Sequence, residues 1–340
     1  MMTDFTLAPD ASSIVSVTDR VRKVELKTPA AFVHFLGDTA AFVGAEEHVM
    51  LVDTEGAWTQ LGVHDGGILC AVTDGKRLVT GGDDGKIVSV VAKGEVETLA
   101  TDAKRRWIDN VAAHADGTVA WSAGKTAFVK TPKGEEKSFE VTSTVGGLAF
   151  APKGLRLAIA HYNGVTLWFP NMAAKPEVLE WKGSHLGVTF SADNRFLVTS
   201  MHEPALHGWR LADAKHMRMT GYPARVRSMS WSAGGKFLAT SGSDSAILWP
   251  FGSKDGPMGK QPEMLAPLQA KVTVVACHPK DDIFAAGYSD GTILMVRIQD
   301  GAEILVRRNA GHPVTALAWN AKGSLLAFAS DEGDAGLLAL

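Results

Sequence analysis

The chain has 340 residues, a formal net charge of −3 and a hydrophobic fraction of 46%, so it can bury a large core. This balance excludes a strongly basic field of the kind that draws proteins to nucleic acid or anionic membranes. We expect neither a secretory signal nor a membrane span, because no run approaches eighteen uninterrupted apolar residues. Cys70 and Cys277 are too few for a disulfide framework, and a reducing, cytoplasmic location fits them best.

A short apolar strand, a tight polar turn and a second apolar strand recur eight times along the chain. The pattern is clearest in VRSMSWSAGGKFLATSG (226–242), VTVVACHPKDDIFAAG (272–287) and VTALAWNAKGSLLAFAS (314–330). The last residue of the first turn marks each copy, and successive marks lie between 37 and 46 residues apart. The marks are Asp38, Gly75, Gly117, Gly154, Asn194, Gly235, Asp281 and Gly323.

The mean spacing, near 41 residues, is typical of a four-stranded blade in a radial repeat protein. Turns such as Asp-Gly and Gly-Gly tolerate positive φ, and small residues crowd the second strands, as close packing between blades requires. A β-sandwich has no reason to repeat one motif at this period. We therefore predict an all-β chain that forms a single closed β-propeller of eight four-stranded antiparallel blades. Seven blades is the alternative, if the first repeat only decorates an edge.

The two ends of the chain are predicted to close the ring together. The last repeat stops at its third strand, AGLLAL (335–340), and residues 13–29 align with a third-to-fourth strand stretch such as residues 86–101. We expect the N-terminal strand, within residues 13–29, to complete the last blade and remove two open sheet edges. Residues 1–340 then form one domain, of which residues 1–12 are expected to be a flexible N-terminus.

The sequence carries no catalytic or cofactor-binding signature. The patterns GxSxG, HExxH, GxGxxG, the P-loop and HxE…CxxC are all missing from it. We predict a protein that is not an enzyme and that needs no cofactor or metal. The alternative is a metal-handling or enzymatic protein with a site in the axial channel. Such a site would need His64, His185 and His312 to converge there from the starts of their first strands.

The loops that enter each repeat carry the candidate partner-binding residues. In a propeller these loops gather on one face, together with the turns between second and third strands. Arginine and exposed aromatic side chains dominate interface hot spots, and positive charge on one face of an acidic chain suggests an acidic ligand. Alternatively, the tryptophans pack between blades and the basic residues are only solvated. The candidates are Arg105, Arg106, Trp107, Trp181, His185, Tyr222, Arg225, Arg227 and Lys271.

Short motifs inside the repeats give the chain a family resemblance. Gly311-His312 corresponds to a Gly-His pair, and Asp84-Gly85 and Asp290-Gly291 to an Asp-Gly turn between second and third strands. With the period of the repeats, these motifs make the chain similar to the WD40-repeat family from about residue 14 to residue 340. The family's third-strand tryptophan appears as Trp168, Trp209 and Trp249.

The repeats are degenerate, of a bacterial type, because none contains an intact Trp-Asp dipeptide. The family's hydrogen-bonded Asp-His-Ser/Thr-Trp tetrad is most nearly complete in repeat 2, with His64, Thr80 and Asp84. Asp290 and His312 are further members of this structural set. The resemblance implies a scaffold or adaptor that binds a protein or peptide. We expect a monomeric, cytoplasmic chain with no membrane partner, and its small net charge disfavours nucleic acid.

Overall fold

The structure, a computed structural model, describes residues 14–26 and 28–340, and strands joined by short turns make up most of them. Within these ranges two short 3-10 helices occur, Thr18–Arg20 and Ala233–Gly235. No helix in the described ranges is long and apolar enough to cross a membrane. The predicted flexible segment, residues 1–12, and residue 13 of the predicted closing segment lie outside the described residues.

The N-terminal segment and the first three repeats form the first fourteen strands. In repeats 1 to 3 the four strands run from the inner to the outer side of each sheet. The strands are β1 (Val15–Ser16), β2 (Val21–Glu25), β3 (Ala30–Leu36), β4 (Thr39–Gly44), β5 (His48–Val52), β6 (Trp58–Gly62), β7 (Ile68–Thr73), β8 (Arg77–Gly82), β9 (Lys86–Val91), β10 (Val96–Thr101), β11 (Asn110–Ala113), β12 (Val119–Ala123), β13 (Thr126–Lys130) and β14 (Glu136–Glu140).

Repeats 4 to 8 form the remaining strands. Repeat 4 contains the long strand β16, and the long strand β17 runs from repeat 4 into repeat 5. The strands are β15 (Gly147–Phe150), β16 (Leu157–Trp168), β17 (Glu177–Phe190), β18 (Phe196–Met201), β19 (Leu206–Arg210), β20 (Lys215–Met219), β21 (Met229–Trp231), β22 (Phe237–Thr240), β23 (Ala246–Pro250), β24 (Glu263–Leu265), β25 (Val272–Cys277), β26 (Ile283–Tyr288), β27 (Ile293–Arg297), β28 (Glu303–Arg307), β29 (Val314–Trp319), β30 (Leu325–Ser330) and β31 (Asp334–Ala339).

Interstrand hydrogen bonds group the described strands into seven sheets: five of four strands, one of five and one of six. Counted in this way the ring fits the seven-blade alternative, and the prediction of eight separate blades is wrong. The reason offered for that alternative does not apply, because repeat 1 forms a full four-stranded sheet. The difference lies in repeats 4 and 5, whose strands are continuous within the six-stranded sheet.

Short connections explain why repeats 4 and 5 merge. Residues 157–160 pair with β15 and residues 164–167 pair with residues 177–180, so β16 serves as the second and third strands of repeat 4. The turn between them is reduced to Asn163 and Gly164, both at positive φ. Residues 185–190 of β17 then pair with β18 as the first strand of repeat 5. No loop interrupts β17, because the entry into repeat 5 is equally short.

The N-terminal strand completes the last sheet, which confirms that part of the prediction. Strand β2 pairs antiparallel with β31, with Val21 opposite Leu338. The closing strand is shorter than the predicted segment, because the 3-10 helix at Thr18–Arg20 interrupts it. Strand β1 instead pairs in parallel with β28, the outer strand of repeat 7. The N-terminal segment therefore joins two neighbouring sheets.

Consecutive first strands contact one another around the centre of the ring. The Thr273 hydroxyl donates to the carbonyl of Val314 at 2.7 Å, and the Thr315 hydroxyl donates to the carbonyl of Ala30 at 2.7 Å. The second of these bonds links repeat 8 to repeat 1 and closes the circle. Between repeats 4 and 5 the backbones approach so closely that a Cβ on Gly147 would lie 2.3 Å from the Leu186 carbonyl oxygen.

The hydrophobic core lies between neighbouring repeats rather than at one centre. Phe42 of repeat 1, for example, packs in one buried cluster with Ala327 and Leu337 of repeat 8. Small residues in the second strands allow this approach, as predicted. A Cβ on Gly81 would lie 2.5 Å from a methyl carbon of Ile108, which leaves no room for a side chain.

Candidate partner-binding face

The entry loops and the turns between second and third strands are hydrogen-bonded to one another. The amide of Asp102, in the loop entering repeat 3, donates to the carbonyl of Gly85 at 2.8 Å. The amide of Ser289, in the second turn of repeat 7, donates to the carbonyl of Lys271 in its own entry loop at 2.8 Å. These bonds hold loops and turns together at one end of the ring, which makes that end a continuous candidate face.

The carboxylate of Asp102 holds the loop that enters repeat 3 in place. Asp102 accepts hydrogen bonds from the backbone amides of Lys104 and Arg106, both at 3.0 Å. Its carboxylate also forms an ion pair with the Arg106 guanidinium at 2.6 Å. The hydrogen bonds from Arg106 lower the pKa of Asp102 to about 2, although partial burial opposes the shift. Arg106 also donates to the carbonyl of Ala123, so its side chain is committed to the loop.

This anchoring leaves two predicted residues projecting from the loop. Arg105 adopts a positive φ of 51° and is exposed. Trp107 is 62% exposed, whereas its neighbour Ile108 is completely buried. Since the backbone is held on both sides, Trp107 is presented on a fixed support rather than on a free loop.

Of the three partner-binding residues predicted in the loop entering repeat 6, two are exposed and one is buried. Arg225 and Arg227 are exposed on either side of Val226, which is buried. Tyr222 is buried, so its prediction as a surface contact is wrong. Its hydroxyl accepts a hydrogen bond from Trp249 Nε1 at 2.6 Å and bonds the hydroxyl of Thr240 at 2.7 Å. Burial raises the pKa of Tyr222 to about 12.

At the entry into repeat 5, the side chains predicted to contact a partner pack into the protein. His185 is buried, with Nδ1 bonded to the Thr199 hydroxyl at 2.8 Å and Nε2 bonded to the Trp181 carbonyl at 2.9 Å. Burial lowers the pKa of His185. The Trp181 ring stacks on His207 at 4.0 Å between ring centroids and is only partly exposed. His185 is therefore unavailable to a partner, and Trp181 offers one only an edge. Lys271, at the entry of repeat 7, is exposed.

The structure brings together the three tetrad-like residues of repeat 2. His64 Nδ1 lies 3.0 Å from an Asp84 carboxylate oxygen, and Nε2 lies 2.9 Å from the Thr80 hydroxyl. Sequence reasoning missed that Tyr222 occupies the histidine's place in repeat 6, where it joins Thr240 and Trp249. The signal was the spacing: Tyr222 precedes Thr240 by 18 residues, and His64 precedes Thr80 by 16.

Two family models match parts of the chain. "WD domain, G-beta repeat" matches residues 215–249, and "Anaphase-promoting complex subunit 4 WD40 domain" matches residues 275–340. The chain is a WD40-repeat β-propeller. A comparison with curated proteins finds no match.

Two solved structures share the WD40 propeller's fold over nearly its whole length. The computationally designed Ika8 protein gives a TM-score of 0.75 at 18% identity, covering 93% of this chain and 98% of that chain. The C-terminal WD40 domain of Sif2 gives a TM-score of 0.75 at 14% identity, covering 96% of this chain and 99% of that chain. At these identities the likeness shows the fold alone.

The remaining tetrad-like residues of the WD40 propeller lie in three separate environments. Trp168 packs beside Phe139 at 5.7 Å between ring centroids, and Trp209 is buried beside His207 at 4.7 Å. Asp290 accepts a hydrogen bond from the Thr292 hydroxyl and thereby holds its own turn. The structure does not join these residues into further four-membered sets.

The histidines of the WD40 propeller do not meet in the axial channel. His64 and His185 are each bonded within their own repeat, whereas His312 lies near the exposed carboxylates of Asp331 and Glu332. The ligand atoms of these last three residues lie within 4.8 Å of one another, on the loop face rather than in the channel. Nothing in the comparisons supports the axial-site alternative.

The cysteines of the WD40 propeller are poorly suited to nucleophilic chemistry. Both are free, and burial raises the pKa of each thiol to about 12. The thiol of Cys70 donates to the carbonyl of Ile108 at 3.1 Å, which makes it part of the contact between repeats 2 and 3.

Positive charge on the candidate face is grouped rather than spread. One group is Arg105 with Lys104, and the other is Arg225 with Arg227. Exposed carboxylates from second turns lie on the same face. They belong to Glu46, Glu47, Glu203, Asp244, Asp331 and Glu332.

Proposed function

We propose that this WD40 propeller is a non-enzymatic scaffold or adaptor that binds a protein or peptide on the face of its entry loops. The observation that carries the proposal is Trp107, 62% exposed on a backbone fixed by Asp102 and Ile108. A large aromatic side chain held rigidly in solvent loses little entropy on binding, and tryptophan beside arginine is typical of interface hot spots. Arg105 is the exposed arginine beside Trp107.

We propose that the partner presents acidic residues to this face. Arg105, Arg225, Arg227 and Lys271 are exposed, and no ion pair to them is seen within the described residues. The carboxylates of the same face fix the orientation of the partner, since like charges would repel in any other register. The partner is a protein or peptide rather than nucleic acid, because a net charge of −3 disfavours phosphate backbones.

We also propose that the ring is one monomeric domain, in which the strands of repeats 4 and 5 belong to a single sheet. Repeats 4 and 5 each have their own inner strand, β15 and residues 185–190, and each has its own outer strand, residues 177–180 and β20. The six-stranded sheet therefore joins the strands of two repeats without an intervening loop. The free thiols favour a cytoplasmic location.

Affinity capture from the native cell tests the binding face. The bait pair is wild type and the Trp107→Ala/Arg225→Glu double variant, and the control is Trp58→Ala, which removes another exposed tryptophan from the outer strand of repeat 1. We expect the control to recover the partner at the wild-type level and the double variant to recover at least tenfold less. Equal recovery by all three baits would exclude this face.

A further inference from the structure

The outer strand of repeat 5 differs in charge from every other outer strand of the ring. Strand β20 reads Lys-His-Met-Arg-Met, and its three basic side chains are all exposed, whereas Met217 and Met219 are buried. The other outer strands each contain at least one glutamate or no charge at all. Strand β20 lies at the end of its sheet, so its outer edge has no strand partner among the described residues.

A loop of repeat 6 turns this edge into a groove. Residues 251–262 form the long connection between β23 and β24, and residues 257–261 face β20 across a cavity of about 500 Å³. Met217, Met219, Trp249 and Met258 contribute the apolar part of the lining. Lys215 and Lys260 contribute positive charge, and no carboxylate lines the cavity.

Two arginines of repeat 5 hold this loop in place. Arg195 donates to the carbonyls of Ser253, at 2.9 Å, and of Phe251, at 3.4 Å. Arg210 forms ion pairs with Asp213 and Asp255 and offsets one of their two negative charges. These contacts hold the wall of the groove in place. The three positive charges of Lys215, Arg218 and Lys260 exceed the one carboxylate charge that Arg210 leaves over, so the groove keeps a net positive charge.

The chain itself shows that an outer edge of this ring accepts an additional strand. Strand β1 pairs in parallel with β28, the outer strand of repeat 7, with Val15 opposite Ile304 and Ser16 opposite Leu305. Strand β20 occupies the same place in repeat 5, and its edge remains open. Backbone pairing supplies affinity at such an edge, and the side chains beside it supply selectivity.

We propose that β20 and the 251–262 loop form a second docking site, for an extended peptide segment that alternates acidic and apolar residues. Side chains of an added strand point alternately to the two faces of the sheet. On one face, acidic side chains meet His216 and Arg218; on the other, apolar side chains enter the groove beside Met217, Met219 and Trp249. This site lies on the rim and is independent of the entry-loop face.

Fluorescence anisotropy with a labelled eight-residue peptide that alternates glutamate with valine tests the site. We expect Lys215→Gln/Arg218→Gln to weaken binding at least tenfold. The matched control, Lys23→Gln/Lys133→Gln, removes the same charge elsewhere and should change affinity less than twofold. The Trp107→Ala/Arg225→Glu variant should bind as wild type, which separates this site from the entry-loop face. Circular dichroism and melting temperature verify that each variant is folded.

Two further peptides separate strand pairing from simple charge attraction. A peptide with proline at each valine position keeps the four glutamates but lacks half of its amide donors, and we expect at least tenfold weaker binding. A peptide with glutamine at each glutamate position should also bind at least tenfold more weakly. Any of three results would overturn the proposal. The first is that the proline peptide binds as tightly as the valine peptide. The second is that Lys215→Gln/Arg218→Gln and Lys23→Gln/Lys133→Gln weaken binding equally. The third is that the wild-type protein is a dimer and that Lys215→Gln/Arg218→Gln abolishes it.

Discussion

Two entry loops of this propeller contain the same kinds of residue and present them in opposite ways. The loop before repeat 3 has Arg105, Arg106 and Trp107, and the loop before repeat 5 has Trp181 and Lys182. In the first, Asp102 ties down the backbone and the tryptophan projects into solvent. In the second, the chain continues from strand to strand without a loop, and the tryptophan stacks on His207. Residue type alone therefore does not decide exposure; the length and anchoring of the connection do.

Replacing each tryptophan by alanine should separate the two loops most strongly. We expect Trp181→Ala to lower the free energy of unfolding by about 2–3 kcal/mol, because the ring leaves a cavity against His207. Trp107→Ala should change it by less than about 0.5 kcal/mol, since its ring makes no part of the core. Urea unfolding curves of the two variants and wild type measure the difference. Comparable losses would mean that Trp107 is structural.

The buried tyrosine of the repeat 6 loop extends the same comparison. Tyr222→Phe removes the hydroxyl between Trp249 and Thr240 and leaves both without this partner, which should cost about 1–3 kcal/mol. Tyr162→Phe is the matched control, because Tyr162 is 53% exposed and its change should cost less than about 0.5 kcal/mol. Thermal and urea unfolding check both values. If the two variants are equally stable, Tyr222 has no locking role.

The sequence was informative where the fold repeats itself and less so where repeats join. The period of about 41 residues predicted the strands of each repeat, and the missing fourth strand of repeat 8 predicted the pairing of Val21–Glu25 with β31. It did not predict the merging of repeats 4 and 5, because the continuity of β17 from one repeat to the next depends on backbone geometry rather than on hydrophobic pattern.

The candidate face was predicted in outline, and individual residues depended on local anchoring. Arg105, Trp107 and Arg225 are exposed as expected. Tyr222 and His185 are buried because each bonds a threonine of the second strand, a position that only an alignment of all eight repeats would reveal. The spacing of each residue from its threonine carries that signal, whereas the identity of the residue alone does not.

The contributions of the repeat 5 and repeat 3 entry regions to folding stability should respond differently to acid. Burial lowers the pKa of His207 to about 3 from its ordinary 6.5. Between these pH values the unfolded chain therefore binds a proton that the folded chain does not bind. Stability should fall as pH decreases from about 6.5, by at most about 1.4 kcal/mol per pH unit for this histidine. The Asp102–Arg106 pair contributes stability above pH 3.8 and loses it only as pH falls toward about 2.

Melting temperatures between pH 8 and pH 4 measure this contrast. His207→Phe should lessen the decline below pH 6.5, because the aromatic stack with Trp181 is retained without a titrating group. The remaining decline is expected from His34 and His185, whose pKa values burial also lowers. Asp102→Asn should leave the slope in this range unchanged and lower stability throughout it. An unaltered slope in His207→Phe would show that another group controls the acid response.

The smallest expected effect concerns the arginines beside the repeat 6 loop, and it acts on association rather than on folding. Arg225 and Arg227 are exposed, so Arg225→Glu/Arg227→Glu should leave the melting temperature within about 2 °C of wild type. Once a partner has been captured, the double variant should lower its association rate several-fold at low salt, and the difference should shrink as screening increases. Stopped-flow measurements at two salt concentrations test this. A loss confined to the dissociation rate would instead place these arginines within a desolvated contact, as Trp107 is proposed to be.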